Sequence, residues 1–413
     1  MSILPFLYAY LSVILGAFIT TVILIFLGLS YGDLPELYLT YIARLQKWFP
    51  APDLPRRKRY IDVDQSTTKG SSNSLELSLE HLTEGVNSIS QGDFASAFYR
   101  APSDRAGLSG LHTQKTWTRL QKVIFYLTLA FRFSFLFPVR FMLFLSSFAF
   151  VSTMVILAAV KKLTDIQKTW IAIVYCRLFC SGLGVITRFH NEENRPQRPG
   201  VAISNHLSPN DIQILFTGTP HGSSYGYVVT GQKHVGIIGI IEALVEKLCP
   251  SIWLERKNIA ERQNFLSLVL DIAKTNGPVL LFPEGYCSNN TQVLQFRKAI
   301  FEEGINIYPI AIKQDANFGD GFWYEPKFHY YLLRAMCSWA IVYDIYYLEK
   351  ATRLPDEDNS AFAKRMQQLI SEKADIPYAT YGGSMFYRAD EREKLKNHEM
   401  TLNARKVETY EYL

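Results

Sequence analysis

Residues 201–211 read VAISNHLSPND: a short apolar run, Val201–Ile203, then a polar turn carrying His206 and, five positions on, Asp211. The run has the character of a strand. Ser208-Pro209-Asn210-Asp211 has the chemistry of a helix start, with Ser208 as N-cap, Pro209 at the first helical position and Asp211 at the third. His206 then lies just outside the helix, where Asp211 can reach back to it. On one continuous helix a spacing of five would set the two residues about 140° apart. A histidine and a carboxylate at a strand-to-helix junction suit the removal of a proton from a weak acid. The same residues also read as an ordinary turn histidine beside a capping box, and this segment alone does not choose between the two.

Downstream the texture repeats. Short apolar runs at Val201–Ser204, Tyr225–Val229, Ile252–Leu254, Val279–Phe282 and Tyr308–Ile312 alternate with helical patterns at Ile212–Phe216, Ile237–Lys247 and Glu261–Asn276. Strands alternating with helices predict an α/β fold whose sheet is mixed and partly parallel, flanked by helices. Ligands in such sheets bind beyond the carboxyl ends of the strands. His206 stands at one such end and Glu284 at another.

The chain has 413 residues, 48% hydrophobic and 14% aromatic, with only 20% charged. That leaves room for a catalytic domain of 200 or more residues plus membrane-associated extensions. A net charge of +5 from scattered lysines and arginines gives no support for nucleic-acid binding. The five cysteines (176, 180, 249, 287 and 337) lack any C-x-x-C pair, so no metal is assigned and no disulfide framework is expected. Such usage fits thiols kept reduced on a cytosolic face.

From Ile3 to Leu29, 27 residues pass without a charge, more than the ~20 needed to cross a bilayer core. Arg44, Lys47 and the cluster Arg56-Arg57-Lys58-Arg59 follow, which by the positive-inside rule predicts an uncleaved transmembrane anchor with its N-terminus in the lumen. A second apolar stretch, Val123 to Val160, is interrupted by Arg132, Pro138 and Arg140. A straight span through both arginines would cost ~2.5–3.5 kcal/mol for each. The favoured reading is a membrane hairpin folded back at Pro138-Val139-Arg140. The other is a single span, Phe141–Val160, behind an interfacial helix. The domain plan is an anchor at 1–32, a polar cytosolic segment at 33–119, the hairpin at 120–162, a catalytic domain at 163–385 and a polar tail at 386–413. Within the polar segment, residues 62–118 read as a linker or loosely folded regulatory stretch.

Three further blocks carry chemistry. Pro278–Gly285 (PVLLFPEG) is a buried strand ending in Glu284-Gly285, where a carboxylate could accept hydrogen bonds from a polyol but would repel a phosphate. Pro250–Arg256 (PSIWLER) ends in Arg256, and guanidinium is the natural bidentate clamp for a phosphate monoester. Tyr308–Lys313 (YPIAIK) opens with Pro309, as expected at an edge or at the start of a strand. Each also has a plainer reading, as a solvated turn glutamate or a surface arginine. Two further patterns lead nowhere. Gly222-Ser223-Ser224-Tyr225-Gly226 matches G-x-S-x-G, but that motif needs a buried strand before it and a helix after it. Asn289-Asn290-Thr291 is a glycosylation sequon in a domain expected on the cytosolic side.

Taken in order, NHLSPND, IWLER, FPEGY and YPIAIK span about 110 residues and resemble the glycerolipid acyltransferase family, with its H-x-x-x-x-D motif. Around them FRFSFLFPVR (131–140), HNEENRP (190–196), GQKHVG (231–236), CPSIWLER (249–256), FPEGYCSNN (282–290), AIKQDANFGDGFW (311–323) and LLRAMCSWAIV (332–342) look like the endoplasmic-reticulum glycerol-3-phosphate acyltransferase type. The resemblance covers most of residues 120–345. It implies acyl transfer from acyl-CoA to the sn-1 hydroxyl of glycerol 3-phosphate, with His206 as general base and Asp211 orienting it. Arg256 would hold the phosphate, Glu284, Gly285 and Tyr286 would shape the polyol site, and Pro309 would support it. It implies no cofactor beyond acyl-CoA as co-substrate. The expected location is the reticulum membrane, multi-pass, with the catalytic domain facing the cytosol, and lipid droplets are left open as a second residence. Tyr286 departs from the family, which has threonine or serine there. Lysophosphatidate as acceptor, or a lipid-binding scaffold without turnover, are the alternatives.

Overall fold

The computed structural model describes residues 4–49, 97 and 98, 117–232, 246, 248–254 and 259–383. Most of the polar stretch 62–118, most of the helix expected at Ile237–Lys247, Arg256 and the tail 386–413 lie outside these residues.

Seven strands form one sheet: β1 (Val185–His190), β2 (Val201–Ser204), β3 (Val228–Gln232), β4 (Ser251–Leu254), β5 (Val279–Leu281), β6 (Ile307–Asp315) and β7 (Ile341–Tyr347). Their order is β1-β7-β6-β2-β5-β3-β4, and every neighbouring pair is parallel except β6 with β7. This is the expected mixed, largely parallel sheet. Successive side chains point to opposite faces, so Val201 and Ile203 enter one core while Ala202 enters the other, and Val279 and Leu280 divide in the same way. Both faces of β2 are therefore buried, which is why its sequence is an unbroken apolar run.

The helices are α1 (Leu4–Leu27), α2 (Leu34–Gln46), α3 (Arg119–Phe131), α4 (Phe137–Val160), α5 (Asp165–Leu183), α6 (Asp211–Thr217), α7 (Ile259–Thr275), α8 (Phe328–Cys337) and α9 (Asn359–Ala374). On one face of the sheet, α4, α5, α6 and α8 supply Val151, Tyr175, Ile214 and Met336 to the core. On the other, α7 and α9 supply Val269, Phe362 and Ile370. Outside the first layer, α1 packs on α4 and α5 through Ile14, Ile25, Leu143 and Leu178.

The predicted hairpin does not form at Pro138. Helices α3 and α4 are joined by a π turn, Arg132–Leu136, into one helix from Arg119 to Val160, 42 residues long. Pro138 has no N–H to give to the carbonyl four residues back, at Ser134. That carbonyl instead accepts the Tyr10 hydroxyl from α1 at 2.5 Å, so the chain passes the proline without bending back. The arginines do not face lipid. Arg132 stacks on Trp339 at 4.9 Å, and Arg140 donates to the carbonyls of Met336 (2.9 Å) and Trp339 (2.7 Å) at the end of α8. For Arg140 the cost assumed in hydrocarbon does not arise, because protein carbonyls solvate the charge, and Arg132 is buried against an aromatic face.

Helix α1 and the long helix Arg119–Val160 are each long and apolar enough to cross a membrane, with only 17% and 22% of their most apolar windows buried. Apolar surface left bare on this scale marks a membrane protein.

Pro309 lies inside the sheet, not at an edge: it sits in β6 opposite Ile203 of β2, with β7 on its other side. The β6–β7 register slips by one residue between Ile307↔Ala351 and Ile310↔Tyr347. A bulge at this level leaves the missing proline N–H without a ladder bond to break.

Candidate active site

His206 leaves the carboxyl end of β2 and Glu284 the carboxyl end of β5, and the two strands are direct neighbours. The sheet thus brings together two residues nearly eighty positions apart. Ser208 and Asp211 are fully buried between the strand and α6. Asp211 Oδ2 accepts the Leu207 N–H at 2.6 Å and the Ser208 N–H at 3.0 Å, while Oδ1 accepts the Ser208 hydroxyl at 2.8 Å. The Asn210 N–H reaches Ser208 Oγ at 3.2 Å. Only half of a capping box is made: Asp211 accepts the Ser208 N–H, but its own N–H goes to the Ser208 carbonyl, and the regular helix begins at Asp211 with Asn210, not Ser208, at its N-cap.

With Asp211 held this way, its Oδ2 also receives the His206 ring Nδ1 at 2.8 Å. A carboxylate on Nδ1 fixes the tautomer and leaves Nε2 as the basic nitrogen. The ring is stacked on Phe282, with centroids 4.2 Å apart and planes inclined by 16°. Its backbone carbonyl accepts the Ser288 N–H at 2.8 Å. Burial alone would push His206 down, but contacts with the Cys287 side chain and with Asp211 outweigh it and hold the ring well above its ordinary value. Only the ring edge reaches solvent, the side chain being 19% exposed. The turn thus holds the carboxylate through the Leu207 and Ser208 N–H groups and aims it at the histidine.

Glu284 is 1% exposed and lies under this turn rather than on the surface. Its Oε1 accepts the Leu294 N–H at 3.3 Å, and the carboxyl also receives the backbone N–H of His206. Among the described residues Oε2 has no partner. Burial pushes this carboxyl well above the usual carboxylate range, against the pull of His206. Gly285 follows at φ +69°, a left-handed conformation that side chains resist. Tyr286 is half-buried, and its ring sits 5.7 Å from the guanidinium carbon of Arg297. Pro309, buried in β6, braces β2 one residue before Ser204. Arg256 falls just beyond β4, outside the described residues.

Residues 186–313 match the family model described as Acyltransferase. This stretch is an acyltransferase domain. Among curated relatives, the glycerol-3-phosphate acyltransferase 3-like protein of Danio rerio is 37% identical over 240 residues, covering 56% of this chain and 53% of that protein. Glycerol-3-phosphate acyltransferase 4 of Homo sapiens is 35% identical over 276 residues, covering 64% and 58%. Glycerol-3-phosphate acyltransferase 3 of Mus musculus is 38% identical over 264 residues, covering 62% and 58%. The chain thus spans a little over half the length of these relatives. A remoter likeness, to the 1-acyl-sn-glycerophosphate (LPA) acyltransferase PlsC of Thermotoga maritima, has a TM-score of 0.42 at 15% identity over 58% of this chain and 96% of that one, too low to bear on the acceptor.

Within the acyltransferase domain, several residues that frame the site escaped the sequence reading. Asn205 clamps β2 to β6, donating to the Ile312 carbonyl and accepting the Ile312 N–H, each at 2.8 Å. Asn210 donates to the Tyr331 hydroxyl of α8 at 2.6 Å. The Cys287 side chain lies close enough to the His206 ring to favour its protonation. The signal for Asn205 was present: a buried-type strand ending in an amide must satisfy that amide somewhere. The sequon residue Asn289 is buried and takes the Thr291 hydroxyl at 2.6 Å, so it braces the loop. No strand precedes Gly222–Gly226, since α6 ends at Thr217 and β3 begins at Val228. That context is wrong for a nucleophile elbow.

Proposed function

We propose that this chain transfers a fatty acyl group from acyl-CoA to the sn-1 hydroxyl of glycerol 3-phosphate, giving lysophosphatidate. The observation that carries the reading is the His206–Asp211 hydrogen bond, with the carboxylate buried and the ring edge open. His206 Nε2 takes the proton of the acceptor hydroxyl as the oxygen attacks the thioester carbonyl. An alcohol is a far weaker acid than imidazolium, so proton transfer and attack are concerted. The C–S bond then breaks, and imidazolium returns the proton to the departing thiolate of coenzyme A. No acyl-enzyme and no cofactor beyond the acyl-CoA co-substrate enters this scheme.

In this reading Arg256 holds the acceptor phosphate, and Gly285 and Tyr286 shape the polyol site. Glu284 reaches the acceptor only through Oε2, and Pro309 supports the strand behind His206. The acidic product and amphiphilic donor suit a chain seated at a lipid surface. We place it in the endoplasmic-reticulum membrane, with its catalytic domain facing the cytosol. Membranes bearing the full chain, given radiolabelled acyl-CoA with glycerol 3-phosphate or lysophosphatidate in turn, test the reading. Label incorporated with glycerol 3-phosphate is expected. Incorporation with lysophosphatidate alone would reassign the acceptor, and none with either would leave a lipid-binding scaffold.

A further inference from the structure

Arg297 stands at the site without having been singled out by any motif. Its backbone N–H donates to the Pro283 carbonyl at 3.0 Å, tying it to the residue before Glu284. Its side chain then folds over the loop. A Cβ placed on Gly285 would lie 2.8 Å from Arg297 Cζ, 2.9 Å from Nη2 and 3.0 Å from Nε, so the whole guanidinium covers this glycine. The Tyr286 ring lies beside it at 5.7 Å, within cation–π range of ~6 Å. Gly285 is required by its positive φ, and its bare backbone gives the guanidinium room to lie over it, while a threonine or serine at 286 would offer no ring beside it.

Several arginines of the chain are tied up in ion pairs. Arg188, Arg334 and Arg365 each hold a carboxylate, of Glu36, Glu325 and Glu357. Arg297 is exposed and, among the described residues, holds none. Burial pushes the Glu284 carboxyl, under the same loop, well above the usual carboxylate range, which weakens its pull on Arg297. A flat, charged fork with free donors, held against the residues on either side of the acid of the third block, is suited to a phosphate monoester.

We propose that Arg297, laid across Gly285 and the Tyr286 ring, binds a phosphate monoester at the mouth of the site, and that this is the phosphate of the acceptor. The inference rests on the acyl-transfer reading above and deepens it: Tyr286, the departure from the family pattern, serves as the shelf for a second phosphate-binding arginine. Two substrates carry such a group, the acceptor and the 3′-phosphate of coenzyme A.

Steady-state kinetics of the full chain in membranes separate them. Arg297→Ala is expected to raise KM for glycerol 3-phosphate by about 10- to 100-fold, the size of one lost charge-assisted hydrogen bond. KM for acyl-CoA should stay within about twofold of wild type, and kcat should change little. Arg297→Lys, which keeps the charge and loses the fork, should fall between. Lys298→Ala, its exposed neighbour, should match wild type and so exclude a general charge effect. Should Arg297→Ala fail to accumulate, Arg297→Gln reads the same loss. An unchanged acceptor KM would overturn the proposal. So would a rise confined to the acyl-CoA KM that disappears with a dephospho-CoA thioester, which would give the arginine to the donor. If the wild type acylates lysophosphatidate and not glycerol 3-phosphate, the functional reading fails instead, and the Arg297 effect is then read on the lysophosphatidate KM.

Discussion

His206 and Asp211 are joined by a 2.8 Å hydrogen bond in which the carboxylate is wholly enclosed and bound by two backbone N–H groups and one hydroxyl besides the ring. So many donors leave Asp211 no freedom to rotate away, and the histidine inherits that fixity. The negative partner favours the protonated ring, whereas a general base acts in its neutral form. The rate should therefore climb as pH rises through the elevated His206 pKa. Cys287 and Asp211 both hold the ring up, so Asp211→Asn removes part of that support and the rising limb of kcat/KM against pH should move to lower pH. The maximum should also fall, by an amount on the order of the 10²–10⁴ attributed to positioned bases. A pH profile of the two proteins checks this. A limb that stays in place would separate Asp211 from the proton transfer.

Glu284 distinguishes a brace from a charge. Because burial keeps the carboxyl above its usual range, Glu284→Gln preserves shape and most hydrogen bonding and should retain the fold with loss of activity under about tenfold. Glu284→Ala leaves the Leu294 and His206 N–H groups without their acceptor, at a cost of about 1–3 kcal/mol. Thermal unfolding of the two variants in detergent should rank them in that order.

The Asn205 clamp predicts a different signature. Asn205→Ala unpairs both backbone groups of Ile312, which are buried, so the protein should lose about 1–3 kcal/mol in stability. The histidine one residue on should also be displaced, and kcat should fall with little change in KM for either substrate. Equal losses of stability without any change in kcat would make the clamp structural only.

The contact between α4 and α5 gives a test remote from the chemistry. A Cβ on Gly182 would fall 2.7 Å from the Phe144 backbone nitrogen, and backbone cannot step aside as a side chain can. Gly182→Ala should therefore force the two helices apart and destabilise by about 1–3 kcal/mol. Its effect should appear in the unfolding midpoint and leave KM for both substrates unaltered.

How far the sequence carried the fold follows from these same residues. The run Val201–Ser204 was legible because a strand buried on both faces needs apolar residues throughout. Strand β1 escaped, since Val185–His190 mixes Arg188 and His190 into its length. Those two are held by Asp344 of β7 at 3.4 and 2.9 Å, a pairing across more than 150 residues that no local pattern reveals. The hairpin was misread for a similar reason: the expense of Arg132 and Arg140 was reckoned against lipid, whereas their partners lie in α8 and the loop after it. Of the site, the His206–Asp211 pair was visible through its helix-start chemistry. Asn205 and Cys287 were not, because each acts through a residue brought near only by the sheet, and Arg297 was not, because it meets Gly285 and Tyr286 only where the loop after β5 folds back.

The most direct measurement of the central claim is acyl transfer by membranes carrying His206→Ala, with labelled acyl-CoA and glycerol 3-phosphate, compared with wild type at equal protein. The ring's removal should lower the rate by at least about 10²-fold while the protein still inserts and accumulates. Residual transfer above about a tenth of wild type would contradict the role of His206 as the base.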